Sequence, residues 1–187
     1  MIRQISMFAA VLGLALFNVS SVRGEDQPAR ASDNGNLNSH DAGFLNAISR
    51  GDVAEIKLAK LAKDRAGSDS VKSYAQHIIK DHQNAQDDLK TLAKDKGLSL
   101  ATDVDDKQQA EYDRLAKLNG ADFDKAYIKE MISDHEHDVD LTKDFSNHAK
   151  DADVKAFASK ILPKLQDHLR MAKDVNDRLT GTGGGNR

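Results

Sequence analysis

Apolar residues recur in steps of three and four along most of this chain, the spacing of an α-helix that buries one face. The clearest run covers residues 71–92, where the steps are 4, 3, 4, 3, 4 and 3. Steps of this kind are typical of helices that pack in left-handed bundles. No segment alternates apolar and polar residues as a half-buried strand does, so the pattern predicts an all-α protein.

Turn residues divide the pattern into four long helices. Ser, Asp and Gly at residues 67–70, 97, 119–120 and 151–153 supply the stops and the next N-caps. The predicted helices run from Asp41 to Arg65, from residue 70 to Lys96, from Ala121 to residue 150 and from residue 153 to Leu179. Residues 98–120 form a longer connection between the second and third helices, with a short helix at about residues 105–118. This layout predicts a four-helix bundle with one longer crossover.

The first 24 residues have the layout of a secretory signal peptide. Arg3 gives a positive start, residues 5–19 are mostly apolar, and Val22-Arg23-Gly24 forms a cleavage site before Glu25. We therefore predict cleavage after Gly24, a periplasmic or secreted protein, and no stable membrane anchor after cleavage. An uncleaved anchor is the alternative interpretation.

Polar and glycine-rich segments flank the bundle. Residues 25–40 contain Pro, Gly and Asn without an apolar period, and residues 180–187 read TGTGGGNR. These compositions predict a flexible linker and a flexible tail around a single bundle domain at residues 41–179.

Composition excludes several classes of protein. The chain has no Cys, which rules out disulfides, thiolate metal sites and iron–sulfur clusters. Its 27 basic and 30 acidic residues give a net charge of −3, so nucleic-acid binding has no electrostatic support. Signatures of P-loop, dinucleotide-binding and Ser/His/Asp hydrolase proteins are absent. The sequence identifies no protein partner.

Each long helix has one residue that can bind a metal on its apolar face, which we call the seam. These residues are Glu55, His82, His135 and His168. A carboxylate or imidazole is costly to bury unless it has a partner. Each predicted helix hairpin places its two seam residues within about one turn of the same height, given a rise of ~1.5 Å per residue. The four residues therefore predict either a shared metal ion or a polar network.

Further carboxylates lie close to these seam residues. Asp138, one turn after His135, is the best additional ligand. Each seam histidine also follows an aspartate directly: Asp81, Asp134 and Asp167. Because consecutive helix residues point about 100° apart, we expect these aspartates to support a histidine on a neighbouring helix. The alternative is that they are ordinary solvated residues.

Several motifs resemble a known family. They are Phe44, Glu55, Asp81-His82, Phe123-Asp124-Lys125-Ala126-Tyr127, Asp134-His135, Leu162-Pro163-Lys164-Leu165 and His168. Together they look like the secreted bacterial family called domain of unknown function 4142, over residues 41–179. That family is placed in the ferritin-like superfamily, so the resemblance implies a ferritin-like four-helix bundle that can hold a metal at its centre. No activity comes with the resemblance, and the residue-by-residue match supports Glu55, His82, His135 and His168 only.

The ligand set departs from that of carboxylate-bridged di-iron proteins. Such a site needs two Glu-x-x-His pairs, and this chain has none. Three imidazoles and one carboxylate suit Zn, Cu, Fe or Mn better than a bridged iron pair. The other histidines, His40, His77, His137 and His148, fall off the seams and are predicted at the surface.

These observations leave three functional hypotheses. The first is an exported ferritin-like bundle that binds a transition metal and has no established catalytic activity. The second is a metal-free envelope or stress-related interaction module. The third is a metal-dependent redox or peroxide-handling enzyme, which requires an open coordination position and a channel.

Overall fold

The computed structural model describes residues 37–181. The predicted signal peptide at residues 1–24 lies outside this range, as do most of the predicted linker and most of the tail. None of the helices within residues 37–181 combines the length and the hydropathy that a membrane span requires.

Five α-helices make up the described part of the chain. They are α1 (Ser39–Arg65), α2 (Asp69–Asp95), α3 (Asp106–Leu115), α4 (Gly120–His148) and α5 (Ala152–Thr180). Residues 37–181 contain no strand beyond one isolated bridge between Ala66 and Gly120. The predicted all-α class is confirmed. The short helix α3 ends before the predicted residue 118, because Lys117 and Leu118 donate to carbonyls only three residues back.

Side-chain caps fix where most helices begin. Asn38 accepts from the N–H groups at the start of α1, and Ser68 does the same for α2. Asp105 forms a reciprocal capping box at α3, and Asp151 caps α5. Such caps satisfy backbone donors that have no partner within the helix. The start of α1 at Ser39 is two residues earlier than predicted, since Asn38 is the residue that caps it.

Helix pairs pack as a bundle around two apolar clusters. Helix α1 packs along α2, α4 packs along α5, and contacts of α2 with α5 and of α1 with α4 join the two pairs. The first cluster includes Leu58, Ile78, Met131 and Ala172. The second includes Ile48, Leu89, Phe145 and Leu165. Every long helix contributes to both clusters, and the four seam residues lie between them along each helix.

Polar contacts at both ends of the bundle fix the positions of the two helix pairs relative to each other along the bundle axis. The buried Asp124 of α4 accepts from the backbone N–H groups of Gly67 (3.1 Å) and Ser68 (2.8 Å) in the α1–α2 turn. A Cβ on Gly67 would lie 3.0 Å from the Cα of Gly120, so this close approach requires glycine. At the other end, Asp41 accepts from the N–H of Asp151 at 2.8 Å. These contacts hold the α1–α2 pair level with the α4–α5 pair.

Replacing Gly43 in α1 is expected to stabilise the protein. This residue is exposed, and a Cβ added to it would meet no atom within 4 Å. Glycine inside a helix costs about 0.5–1 kcal/mol relative to alanine, so Gly43→Ala should raise the free energy of unfolding by about that amount. Urea denaturation measures the change. Gly97→Ala is the control and should destabilise, because Gly97 has a φ of +64°. A lower midpoint for Gly43→Ala would contradict the prediction.

Candidate metal centre

The structure brings Glu55, His82, His135 and His168 together between the two apolar clusters. Each of these residues is at most 3% exposed. Oε2 of Glu55 lies 2.9 Å from Nε2 of His82 and 3.5 Å from Nε2 of His135. Nε2 of His135 also lies 3.3 Å from Nδ1 of His168. One residue from each long helix therefore contributes to a single buried group.

The second nitrogen of each imidazole faces an acceptor outside this group. Nδ1 of His82 lies 2.7 Å from Oδ1 of Asp52, and Nδ1 of His135 lies 2.9 Å from the carbonyl oxygen of Met131. Nε2 of His168 lies 3.2 Å from Oδ2 of Asp81. An N–H on each of these nitrogens satisfies the acceptor and leaves the inner nitrogen of a neutral ring with a free lone pair. Partners of this kind orient imidazoles for metal binding.

The three imidazoles bring donor nitrogens close to one another. One ring nitrogen from each histidine lies within 4.8 Å of the other two, so the buried cluster could hold a metal. Ligand atoms bound at about 2.0–2.1 Å to one tetrahedral ion lie roughly 3.4 Å apart. The separations of 2.9–3.5 Å measured here are close to that spacing. Oε2 of Glu55 and Nε2 of His82 are also buried without a hydrogen bond, although they lie close together.

The charges of the group are strongly coupled. Burial alone would raise the pKa of Glu55, but the charges of His135 and His82 lower it to about 2. Burial would lower the pKa of His82, yet Glu55 and Asp52 raise it well above its ordinary value. Burial and then the charges of His82 and His135 lower the pKa of His168 to about 4. Burial also lowers the pKa of His135. Without a metal, the proton of the group therefore resides on His82.

Asp52 is the residue that the seam analysis missed. It is 4% exposed and holds the outer nitrogen of His82. Burial raises the pKa of Asp52, against the hydrogen bond from His82. A signal was present in the sequence: the apolar seam of α1 runs from Ile48 to Glu55 with a gap, and Asp52 occupies the position that a regular step of four predicts.

The other predicted aspartates lie in different surroundings. Asp81 on α2 contacts His168 on α5, so it supports a histidine of another helix. Asp167 is exposed and accepts from Arg170 at 2.7 Å. Asp134 and Asp138 are half-buried and line a cavity with Glu55, and Asp138 also lines a second cavity with His82 and His168. Burial and then the negative charge of Glu55 raise the pKa of Asp134 to about 7 and that of Asp138 to about 8.

The histidines predicted at the surface are exposed. His77 and His137 have no part in the central group, and His40 stacks on Phe145. His148 pairs with Asp144 at 2.7 Å on the outside of α4. These residues therefore provide histidine controls that leave the centre unchanged.

Two cavities reach the central group from opposite pairs of helices. The acidic cavity, about 470 Å³, lies between α1, α3 and α4, and its wall includes Glu55, Asp134 and Asp138. The lysine-lined cavity, about 400 Å³, lies mainly between α2 and α5, and its wall includes His82, His168 and Lys164. The centre is buried, but solvent-filled space adjoins it on both sides.

Comparisons with known proteins agree with this architecture. The family model described as domain of unknown function (DUF4142) matches residues 26–175. A crystal structure of a DUF305 fragment from Deinococcus radiodurans is similar with a TM-score of 0.68 and 16% identity, covering 76% of this chain and 99% of that one. A second, described as "putative secreted protein DUF305" from Streptomyces coelicolor, has a TM-score of 0.64 and 18% identity, covering 75% of this chain and 93% of that one. No curated protein matches. At these identities the solved structures show the fold alone.

Proposed function

The chain belongs to the DUF4142 family, as its motifs indicated, and from this premise we propose that it is an exported, ferritin-like bundle that binds one transition-metal ion. Its ligands are His82, His135, His168 and Glu55. The observation that carries the proposal is the orientation of the three imidazoles. Each has one nitrogen directed at an outer acceptor and the other directed into the shared centre.

The donor set indicates which metals suit the site. Neutral imidazoles together with one carboxylate favour Zn, Cu, Fe or Mn. When bound, such an ion supplies Lewis acidity and, for Cu, Fe or Mn, redox chemistry. Asp52, Asp81 and the Met131 carbonyl hold the rings so that the inner nitrogens remain available. Asp138, one turn after His135 on α4, is the additional carboxylate that we propose as a candidate ligand.

Features of the chain support an exported ferritin-like domain. The layout of residues 1–24 is that of a signal peptide, and one similar structure is described as a secreted protein. Two helix pairs joined by the longer α2–α4 connection hold the candidate ligands halfway along the bundle, as ferritin-like bundles do. We propose residues 41–179 as the bundle domain, with 25–40 and 180–187 as its flexible flanks.

Two alternative functions each have one observation in their favour. His82 lies between Asp52 at 2.7 Å and Glu55 at 2.9 Å, which favours a charged, metal-free polar network in an interaction module. The lysine-lined cavity reaches His82 and His168, which favours a metal-dependent redox or peroxide-handling enzyme with access for a small substrate. Titration with metal separates the metal-free interaction module from the metal-binding bundle and the metal-dependent enzyme, because only the last two bind the ion.

Isothermal titration of the metal-free, untagged protein with Zn²⁺ tests the proposal. We expect one ion per chain and the release of about one proton at pH 7, because a ligand must be deprotonated and His82 is the histidine whose pKa is raised. Titrations in buffers of different ionisation enthalpy count the protons. His77→Ala is the control and should bind in the same way. Absence of saturable uptake would reject the proposal, and uptake without proton release would remove His82 from the ligand set.

A further inference from the structure

We propose that the metal ion enters through the acidic cavity between α1, α3 and α4, where Asp134 and Asp138 attract it toward Glu55. This inference rests on the proposed metal site and adds a route to it. Entry of a dication into a buried centre requires an opening, and two are present. The charged residues that line the two cavities indicate which one a dication enters.

The acidic cavity has carboxylates along its whole depth. Glu111 and Glu130 lie at its outer part and are 20% and 28% exposed. Asp134 and Asp138 lie further in, and Glu55 forms its innermost wall at 2% exposure. Glu130, Asp134 and Asp138 are four residues apart on α4, so their side chains follow one face of that helix.

The inner carboxylates lack the partners that neutralise the outer ones. Arg114 pairs with Glu111 and lies 3.8 Å from Glu130. Within residues 37–181, neither Asp134 nor Asp138 has a hydrogen bond or an ion pair to a basic side chain. Carboxylates grouped in a cleft produce a negative potential that raises the local concentration of cations. Burial and the charge of Glu55 raise the pKa of Asp134 to about 7 and that of Asp138 to about 8, so the inner part of the cavity attracts a dication at a pH high enough to ionise both.

Glu55 links this cavity to the histidines. Its side chain is buried and lines the cavity, while its Oε2 has no hydrogen bond. The same oxygen lies 2.9 Å from the inner nitrogen of His82. An ion that reaches Glu55 through the cavity is thus already beside the imidazole ligands.

The lysine-lined cavity is less suited to a cation. Its wall includes Lys80, Lys160 and Lys164. Of its four carboxylates, Asp88 lies 2.7 Å from Lys160, Asp81 contacts Lys164 and His168, Asp52 contacts His82, and Asp138 is shared with the acidic cavity. Three lysines therefore stand against four carboxylates here, whereas the acidic cavity has two basic residues, Arg50 and Lys107, against six carboxylates. This opening therefore attracts a dication less than the acidic cavity does.

Rates of Zn²⁺ uptake by the metal-free protein test the route. In stopped-flow experiments with a zinc-sensitive dye at about pH 8.5, the double variant Glu130→Gln/Asp134→Asn, which leaves the lysine-lined cavity unchanged, should take up Zn²⁺ about tenfold more slowly than wild type at low ionic strength. Its rate should also depend less on salt, while saturation stays at one ion per chain. Asp88→Asn removes a carboxylate from the other cavity and should retain the wild-type rate.

A second variant tests the route without changing charge. Gly51 lines the acidic cavity, and a Cβ there would meet only the Oδ2 of Asp138, at 3.8 Å. Gly51→Leu should narrow the cavity and slow uptake. Wild-type rates in both the double variant and Gly51→Leu would overturn the inference, as would equal slowing by Asp88→Asn. If the wild type itself takes up no Zn²⁺, the proposed function fails and the inference fails with it.

Discussion

His82→Ala, His135→Ala and His168→Ala are each expected to abolish most of the rise in melting temperature that Zn²⁺ or Cu²⁺ gives the wild type. A ligand that binds only the folded state at a hundredfold excess over its dissociation constant stabilises by about 2.7 kcal/mol. For a domain of this size, that corresponds to a rise of roughly 10 °C. Each imidazole directs one nitrogen into the centre, so the loss of any one leaves an incomplete ligand set. Calorimetric melting with and without metal measures the effect.

Exposed histidines provide matched controls for these variants. His77→Ala and His148→Ala remove imidazoles that have no contact with the central group and should keep the full metal-induced rise. A metal-free polar network makes a different forecast, in which the three central substitutions destabilise the protein equally with and without metal. Equal metal-induced shifts in the wild type and all three central variants would end the metal hypothesis.

Protonation of His168 and then of Glu55 is expected to oppose folding of the metal-free protein as the pH falls, whereas Asp134 and Asp138, whose pKa values are raised to about 7 and 8, favour folding as the pH falls toward 4. The pKa of His168 is about 4 in the folded state, so between pH 6.5 and 4 the unfolded chain binds the extra proton. At 1.36 kcal/mol per pKa unit, this costs about 3 kcal/mol. The pKa of Glu55 is about 2, so its stabilising contribution is lost as the pH falls from about 4.5 to 2, at a cost of about 3 kcal/mol more.

Urea denaturation at pH 7, 5.5 and 4 in the presence of a chelator measures the contribution of His168. Relative to wild type, His168→Gln should gain about 3 kcal/mol of stability between pH 6.5 and 4, whereas His77→Ala should follow the wild type. His82 acts in the opposite direction: its raised pKa gives stability that is present below pH 6.5 and is lost only as the pH rises through its folded pKa. An equal change in stability between pH 6.5 and 4 in the wild type and in His168→Gln would contradict the assigned pKa of His168.

The sequence by itself determined the helices and the residues that meet at the centre. Steps of three and four placed four long helices close to their observed bounds, because burying one face of a helix requires that period. Polar residues such as Ser68 and Asp151 marked helix starts, since capping is a local interaction. The level positions of Glu55, His82, His135 and His168 followed from helix rise and turn position alone.

Only the tertiary structure decided which carboxylates serve those residues. Asp81 and Asp167 each precede a seam histidine, yet Asp81 faces His168 while Asp167 faces solvent and Arg170. Asp52, which interrupts the apolar seam, became the partner of His82. Such outcomes depend on how far each helix is rotated about its axis and which helix it faces. The apolar period determines which stripe of a helix is buried, but it does not determine the rotation of the helix about its axis to within the width of one side chain. The two cavities likewise exist only once the helices are packed.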